Sequence, residues 1–509
     1  MKKILKKEYL FFIYLFLFIF SFIIVKPIEN LDELWNYNMA RAIYEGLIPY
    51  KDISMVITPL LSFINAGFLF LFGNNLVVMR ILAALLCSSI LYVTFKIFML
   101  LIKEIKISVI FTFILGILMI EDFCIDYNFF SIFLILIILY LELKKNDNEN
   151  KLLENLANAK SNILIGILAG CVILTKQTIG AIVSFIAVIY PMFWIRNKSD
   201  FKIFIKIAMQ RVLGIIVPLI LMLIYLLVTG ALDDFISYTI LGVFTFSNKI
   251  GYANLLKQDF VIKMLAIVVP ISVVLMILYS ILGKGKTINT NFKILTIYSL
   301  SPLIIVYPIS DRIHFLIGSY IVIIAILYSL FLVARYLLDK TDFKNKKFIL
   351  NSVGIIVCMI MFVFTLTDIV ENGIIYVQSD ETEKNHEINH YENLIINPYL
   401  LNRIKEIDEF ITNQNGKKVY ILDSEAAVYN IPLDIYYKDY DMFNLGNFGK
   451  DGVEGIINRI KEEAESEECL YLVRNPSYNY NWQTPFDAIK YVQNNLEKTG
   501  EVSIYDIYE

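Results

Sequence analysis

The chain has 509 residues, of which 57% are hydrophobic and only 18% are charged, and its mean hydropathy is +0.63. A soluble protein of this length carries about 25% charged residues, so the composition excludes a soluble globular protein and indicates an integral membrane protein. The net charge of -3 gives no reason to expect a nucleic-acid partner. The five cysteines have no paired spacing, which predicts neither a disulfide framework nor a cysteine-ligated metal site.

The first apolar run, 9–25, follows several lysines and is too long for the core of a signal peptide. We therefore interpret it as an uncleaved transmembrane helix with its lysines in the cytoplasm. The other apolar runs, in chain order, are 59–72, 76–102, 107–120, 127–143, 162–175, 178–195, 211–229, 260–282, 292–307, 314–338 and 348–368.

The connectors rich in Lys and Arg are expected on the cytoplasmic side of the membrane. Residues 26–58 follow the first span and must lie outside, whereas Lys103 belongs to a cytoplasmic connector. Only one crossing fits between them, so the short run 59–72 is predicted to lie on the outer face. The prediction is a polytopic α-helical membrane protein with about 11 spans. Its Lys- and Ile-rich composition suggests an AT-rich bacterial genome and hence the bacterial plasma membrane.

From about residue 376 the composition becomes that of a soluble protein. We predict a transmembrane domain over 1–370, whose first outer loop, 26–75, holds in-plane helices. A polar linker over 371–398 is expected to lead to an extracytoplasmic α/β domain over 399–509, because helix and strand signals alternate there. This C-terminal region has no glycine-rich phosphate-binding motif, so nucleotide binding is not expected.

The first outer loop contains the most informative pattern. Apolar residues on one helical face, from Leu31 to Ile43, predict an amphipathic helix that can lie on the membrane and that stops at Gly46. Asn30 is predicted to cap this helix, and Asp32 and Glu33 fall in its first turn. Helix capping and catalysis are equally compatible with these two acids.

Further ionisable residues are predicted at the outer ends of the spans. They are Lys51, Asp52, Arg80, Glu121, Asp122, Asp126, Lys176, Asp311, Arg312 and His314. Each alone is compatible with an ordinary interfacial charge, but ionisable groups at membrane depth often mark a functional cavity. A carboxylate can accept a proton from a hydroxyl, and cations can bind a lipid phosphate.

The order of these features resembles the GT-C superfamily of membrane glycosyltransferases, above all the lipid A aminoarabinose transferases and the protein O-mannosyltransferases. The resemblance covers roughly residues 1–230 and is weaker to residue 340. The motifs that carry it are Asp32-Glu33, Arg41, Gly46, Pro49-Tyr50 with Asp52, Pro59-Leu60, Arg80, the acidic turn at 121–126, and the G-x-x-x-G-x-x-x-L-T-K run from Gly166 to Lys176. The chain departs from the family at Thr58, where a proline is common, and at the acidic turn, which lacks the usual arginine.

The resemblance implies transfer of a sugar from a polyprenyl phosphate to a hydroxyl acceptor at the outer face, with inversion at the anomeric carbon. Asp32 would be the general base, and Glu33 would be a helper or only a cap. The implied ligands of the donor phosphate are Lys51, Arg80, Lys176 and Arg312, and the implied substrate-positioning residues are Asp52, Asp126 and His314. No cofactor is expected, although a divalent metal stays open. The expected partners are membrane lipids and a cell-envelope glycan, glycolipid or protein.

Two other functions stay open. His386-Glu387-Ile388-Asn389-His390 matches H-E-x-x-H, which on a helix binds zinc and would make the protein a membrane-anchored metallopeptidase. The motif follows a polar run, whereas a zinc helix has to be packed to hold its ligands. A transporter or flippase of lipid-linked sugars would use the same cavity and cations without chemistry, but the chain lacks obvious internal repeats.

Overall fold

The computed structural model describes residues 2–145, 152–245, 249–282, 287–340, 346–379, 387–414, 416–466 and 468–509. Within these residues the protein is mainly helical and has one small C-terminal sheet. The predicted fold class, a multi-pass helical membrane protein with a C-terminal α/β region, is confirmed.

Fifteen α-helices precede the C-terminal region in the described residues. They are α1 Lys2–Val25, α2 Leu31–Tyr44, α3 Leu60–Phe72, α4 Leu76–Ile102, α5 Ile105–Met119, α6 Tyr127–Lys144, α7 Leu152–Leu156, α8 Ala159–Ile173, α9 Gln177–Ile189, α10 Lys198–Thr229, α11 Leu232–Phe235, α12 Phe260–Leu282, α13 Thr287–Leu303, α14 Arg312–Asp339 and α15 Lys346–Gln378.

Among the described residues, 8 helices are long and apolar enough to cross a membrane, and four shorter apolar helices accompany them. Together these helices match the apolar runs of the sequence. The helix α3 has 13 residues, which corresponds to about 20 Å and is shorter than the roughly 30 Å of a bilayer core. That the run 59–72 lies on the outer face stays a prediction.

The chain divides into two compact units. The first unit comprises residues 1–23, 83–221 and 249–373 and contains most of the apolar helices. In it, α8 packs closely against α10, because a Cβ at Gly166 would lie 2.1 Å from the carbonyl oxygen of Arg211. A Cβ at Gly170 would lie 2.5 Å from the ring of Pro218. The two glycines of the G-x-x-x-G run are therefore explained by close helix packing.

The first unit also contains a buried ion pair between apolar helices. Arg211 Nη2 lies 2.7 Å from Glu142 Oε1, and both side chains are fully buried. The hydroxyl of Tyr298 donates to the same carboxylate, and Arg211 also donates to the Asn162 side chain and to the Ala187 carbonyl. Shared hydrogen bonds of this kind offset the cost of burying both charges.

The second unit comprises residues 24–82, 222–248 and 374–509. Its C-terminal part contains α16 Pro398–Thr412, β1 Lys418–Ile421, α17 Ala426–Asn430, α18 Gly452–Ser466, β2 Cys469–Arg474, α19 Phe486–Asn495, β3 Lys498–Val502 and β4 Tyr505–Tyr508. The sheet has the strand order β1-β2-β4-β3, in which β1 and β2 are parallel and the other pairs are antiparallel.

The end of the chain differs from its sequence pattern. The alternation of apolar residues predicts a helix through Lys498 followed by one last strand, whereas the structure has a hairpin of β3 and β4. Ser503 adopts a positive φ of 52° at the turn between the two strands. The strand β3, with the sequence KTGEV, lacks the apolar alternation by which a strand is recognised, so the sequence gives no signal for it.

The helix α2 is covered by other parts of the chain, which its amphipathic pattern does not predict. Every residue from Glu33 to Ala42 is buried, so the helix is enclosed rather than exposed along one face. The indole of Trp35 donates to the Ser424 carbonyl at 3.2 Å, and Asn38 donates to Asp441 at 3.0 Å. The first outer loop and the C-terminal residues therefore share one core.

Part of the predicted linker over 371–398 also belongs to this core. Ile388, Tyr391, Leu394 and Ile396 are buried. The backbone N–H of Ile28 donates to the Ile395 carbonyl at 3.2 Å. These contacts correct the expectation of a solvated linker for residues 388–396, whose apolar side chains pack instead of spacing two domains.

Candidate active site

The two acids at the start of α2 have different environments. Asn30 caps the helix, as predicted, by accepting a hydrogen bond from the Glu33 backbone N–H at 3.2 Å. Glu33 is only 4% exposed and its carboxylate binds Arg80, whereas Asp32 is half-buried at the edge of the same turn. Of the two predicted catalytic acids, Asp32 is partly exposed and Glu33 is enclosed.

Arg80 is 1% exposed and its guanidinium is surrounded by acceptors. Its Nε and Nη2 donate to the two oxygens of Glu33 at 3.2 and 3.1 Å, and its Nη1 donates to the Lys26 carbonyl at 2.6 Å. This arrangement differs from the predicted role as a ligand of the donor phosphate, because each guanidinium nitrogen already has an acceptor. Arg80 instead holds Glu33 and the chain that enters α2.

The loop after α2 contains Lys51 and Asp52. Asp52 accepts a hydrogen bond from the Ile48 backbone N–H at 2.7 Å and so stabilises a tight turn, in which Tyr50 has a φ of 72°. Lys51 is exposed, with its Nζ 3.5 Å from the Thr229 carbonyl. The turn fixes the backbone at Lys51, while its charged side chain is exposed to solvent.

In the first unit, three of the predicted residues lie near one another. Asp126 is 1% exposed and caps α6 by accepting from the Asn128 N–H at 2.7 Å. The Nζ of Lys176 donates to the Asn128 side chain at 2.8 Å. Burial raises the pKa of the Asp126 carboxyl above its ordinary value, and the neighbouring Lys176 and His314 act in the opposite direction.

Arg312 lies in a cluster of acidic residues in the same unit. Its guanidinium forms ion pairs with Asp259 at 2.9 Å, Asp122 at 3.0 Å and Glu121 at 3.2 Å. The predicted role in binding a phosphate does not fit this cluster, because three carboxylates more than compensate the single positive charge. The adjacent His314 has its Nδ1 2.8 Å from Asp311.

The H-E-x-x-H motif does not form a zinc site in the residues that the structure describes. His386 lies outside these residues. Glu387 is exposed and pairs with Lys405 at 2.6 Å, whereas His390 contacts Asp434 at 2.8 Å and the Asn74 carbonyl at 2.9 Å. Residues 387–390 form a turn instead of a helix, and the described residues contain no group of three potential metal ligands.

Polar contacts between distant segments of the second unit are not predictable from the sequence pattern. Arg41, fully buried, donates to Asp434 at 2.8 Å and to the Ile431 carbonyl at 3.0 Å. Asp439 forms an ion pair with Arg459 and accepts from the Tyr238 hydroxyl at 2.6 Å. A buried arginine inside an apolar helix pattern is the only local signal, and it does not identify a partner several hundred residues away.

No protein-family model matches the chain, and no curated protein matches its sequence. Solved structures do match it: ArnT from Cupriavidus metallidurans in the apo state and the same protein bound to undecaprenyl phosphate. This chain is similar in structure to a lipid A aminoarabinose transferase. Both matches have a TM-score of 0.49 and 12% identity over 97% of this chain, and they cover 95% and 96% of ArnT. ArnT represents one of the two groups that the sequence resembles, and the likeness assigns no role to any residue.

Proposed function

We propose that the protein is a glycosyltransferase that moves a sugar from a polyprenyl-phosphate donor to a hydroxyl acceptor at the outer face of the bacterial plasma membrane. The order of motifs in the first 230 residues supports this function. The observation that carries it furthest is the different burial of the acidic pair, in which Glu33 is enclosed with Arg80 and Asp32 is partly exposed at the start of the same helix.

In this reaction the acceptor hydroxyl attacks the anomeric carbon of the donor sugar. Asp32 accepts the hydroxyl proton as the new C–O bond forms, which makes the oxygen a better nucleophile. The bond between the anomeric carbon and the phosphate oxygen breaks, and the polyprenyl phosphate leaves with the electron pair. A single direct displacement inverts the configuration at the anomeric carbon.

The leaving phosphate gains negative charge in the transition state, so a nearby cation lowers the barrier. Lys51, which lies in the same unit as Asp32 and has an exposed side chain, is the proposed cation, because Arg80 of that unit is bound to the Glu33 carboxylate. Asp52 is proposed to position substrate indirectly, since it accepts a backbone hydrogen bond. The roles of Lys176, Asp126, Arg312 and His314, which belong to the first unit, stay predictions from the resemblance.

The proposal is tested with the full chain in lipid nanodiscs and a radiolabelled polyprenyl-phosphate sugar. We expect that envelope extract added as the acceptor source triggers release of polyprenyl phosphate and incorporation of label into a larger product. A flippase would instead move the intact donor across vesicles without breaking its phosphate–sugar bond. Translocation without bond cleavage would favour that alternative and contradict a transferase.

The sidedness of the protein gives a separate prediction. In a variant whose native cysteines are replaced by serine, Asn413→Cys and Lys160→Cys each introduce a thiol at an exposed position. We expect an impermeant maleimide added to intact cells to label the first variant and to leave the second unlabelled until the cells are lysed. Labelling of Lys160→Cys but not of Asn413→Cys in intact cells would place the C-terminal residues in the cytoplasm and contradict a reaction on the outer face.

A further inference from the structure

The second unit contains a charged cavity that the proposed reaction does not use. Its volume is about 330 Å³, which falls within the usual range for small-ligand sites. Three stretches of chain form its wall, at 233–238, at 438–451 and at 455–459. All of them belong to the second unit, so the cavity lies within one compact body.

The inner wall of this cavity is held by ion pairs. Lys438 Nζ lies 3.1 Å from Asp234, and Asp439 is bound by Arg459 and by the hydroxyl of Tyr238. Asp439 is only 3% exposed, so its partners fix its position. These contacts therefore hold the inner wall in place before a ligand enters.

The mouth of the cavity adds charges that are exposed to solvent. Asp233, Lys450 and Asp451 are exposed and line the opening. With the inner groups, the wall has four carboxylates and three cations, so its charges nearly balance. A nearly neutral wall does not favour a multiply charged anion such as a phosphate over a neutral polar molecule.

The wall also contains two aromatic residues, Tyr238 and Phe448. Both rings are buried, so the polar groups dominate the surface that a ligand meets. Carboxylates accept and cations donate hydrogen bonds. A molecule that matches this wall has many hydroxyl groups and carries little net charge. Sugar residues have this chemistry.

The cavity is tied to the loop that contains two of the proposed site residues. The Nζ of Lys438 donates to the Lys51 carbonyl at 3.1 Å, and the backbone N–H of Asp439 donates to the Ser54 hydroxyl at 3.1 Å. A ligand in the cavity therefore lies against residues that fix the 51–54 loop. Binding energy from a remote part of a substrate can orient its reacting part.

We infer that this cavity binds a carbohydrate residue of the acceptor, remote from the hydroxyl that reacts. Carbohydrate binding is independent of the transferase activity, whereas the assignment of this carbohydrate to the acceptor rests on the proposed function. The recognised chemistry is an uncharged or amino-bearing sugar, whether it belongs to a glycan or to a glycolipid.

The test uses the labelled full chain in detergent on an array of neutral, amino and acidic oligosaccharides, without donor. Titration of the best probe then gives its dissociation constant for the wild type and for Lys450→Gln with Asp451→Asn. We expect binding to a neutral or amino-bearing probe, and an affinity at least tenfold weaker in this double variant. Asp487→Asn with Lys490→Gln, which makes the same charge changes at exposed positions of α19, should keep wild-type affinity.

Several results would overturn the inference: the absence of carbohydrate binding across the array, unchanged affinity in the cavity variant, or saturation by inorganic phosphate instead of sugars. Comparing a free oligosaccharide with its lipid-linked form distinguishes a glycan from a glycolipid source. Carbohydrate binding without transfer from any polyprenyl-phosphate donor would refute the proposed function and leave the binding site intact. Transfer at the wild-type rate by the cavity variant would refute the acceptor assignment and leave the proposed function intact.

Discussion

Replacement of Asp32 by asparagine is expected to lower the rate of sugar transfer by about 10²- to 10⁴-fold, because general-base catalysis typically contributes that much. Asparagine keeps the size and the hydrogen-bonding oxygen of the side chain but cannot take a proton from the acceptor. The measurement is initial transfer rate in nanodiscs at saturating donor, normalised to correctly folded protein.

The structural alternative for Asp32 predicts a much smaller effect. An acid in the first helical turn stabilises the helix by about 0.3–1 kcal/mol through the helix dipole, and Asn30 already provides the cap. Glu29→Gln is the matched control, since Glu29 is an exposed acid just before the same helix. Near wild-type transfer by well-folded Asp32→Asn protein would show that Asp32 is structural and that the base lies elsewhere.

Replacement of Glu33 by glutamine is expected to destabilise the protein by about 3–5 kcal/mol, because it leaves the buried guanidinium of Arg80 without its anion. The measurement is the unfolding free energy, or the shift in thermal midpoint, in detergent. Activity per folded molecule should fall less than in Asp32→Asn. If Glu33→Gln is fully stable but loses more activity than Asp32→Asn, Glu33 is the base and the proposed roles are reversed.

A double variant tests whether the lost stability comes from the ion pair between Glu33 and Arg80. Adding Arg80→Gln to Glu33→Gln removes both charges, so part of the lost stability should return, as expected for coupled partners. Glu387→Gln is the surface control, because Glu387 is exposed and pairs with the half-exposed Lys405. This control should leave the thermal midpoint unchanged, since an exposed ion pair contributes little.

The sequence predicts those features that depend on near neighbours. The Asn30 cap and the positive-φ stop at Gly46 depend on residues within a few positions, and both are present in the structure. The apolar runs predict the helices for the same reason, because each helix satisfies its own backbone hydrogen bonds in a membrane. Local chemistry is therefore a sound guide to the elements of this chain.

The roles of individual side chains depend on partners that are distant in sequence. Arg80 and Arg312 carry the positive charge that binds a phosphate, but in the folded protein both form ion pairs with carboxylates. The burial of α2 depends on contacts with residues near 430, which no periodicity within the helix encodes. The sequence therefore gives the right residue types for a site and does not distinguish bound charges from accessible ones.

The enclosure of α2 also constrains the order in which the protein is made. The contact between Arg41 and the Ile431 carbonyl joins residues 390 positions apart, so the ribosome synthesises most of the chain after α2 before this partner exists. During that interval α2, with the charged Arg41 and the polar Asn36 and Asn38, lacks the residues that bury it in the folded protein. The segment that contains α2 therefore reaches its final packing only after the residues near 431 have been synthesised.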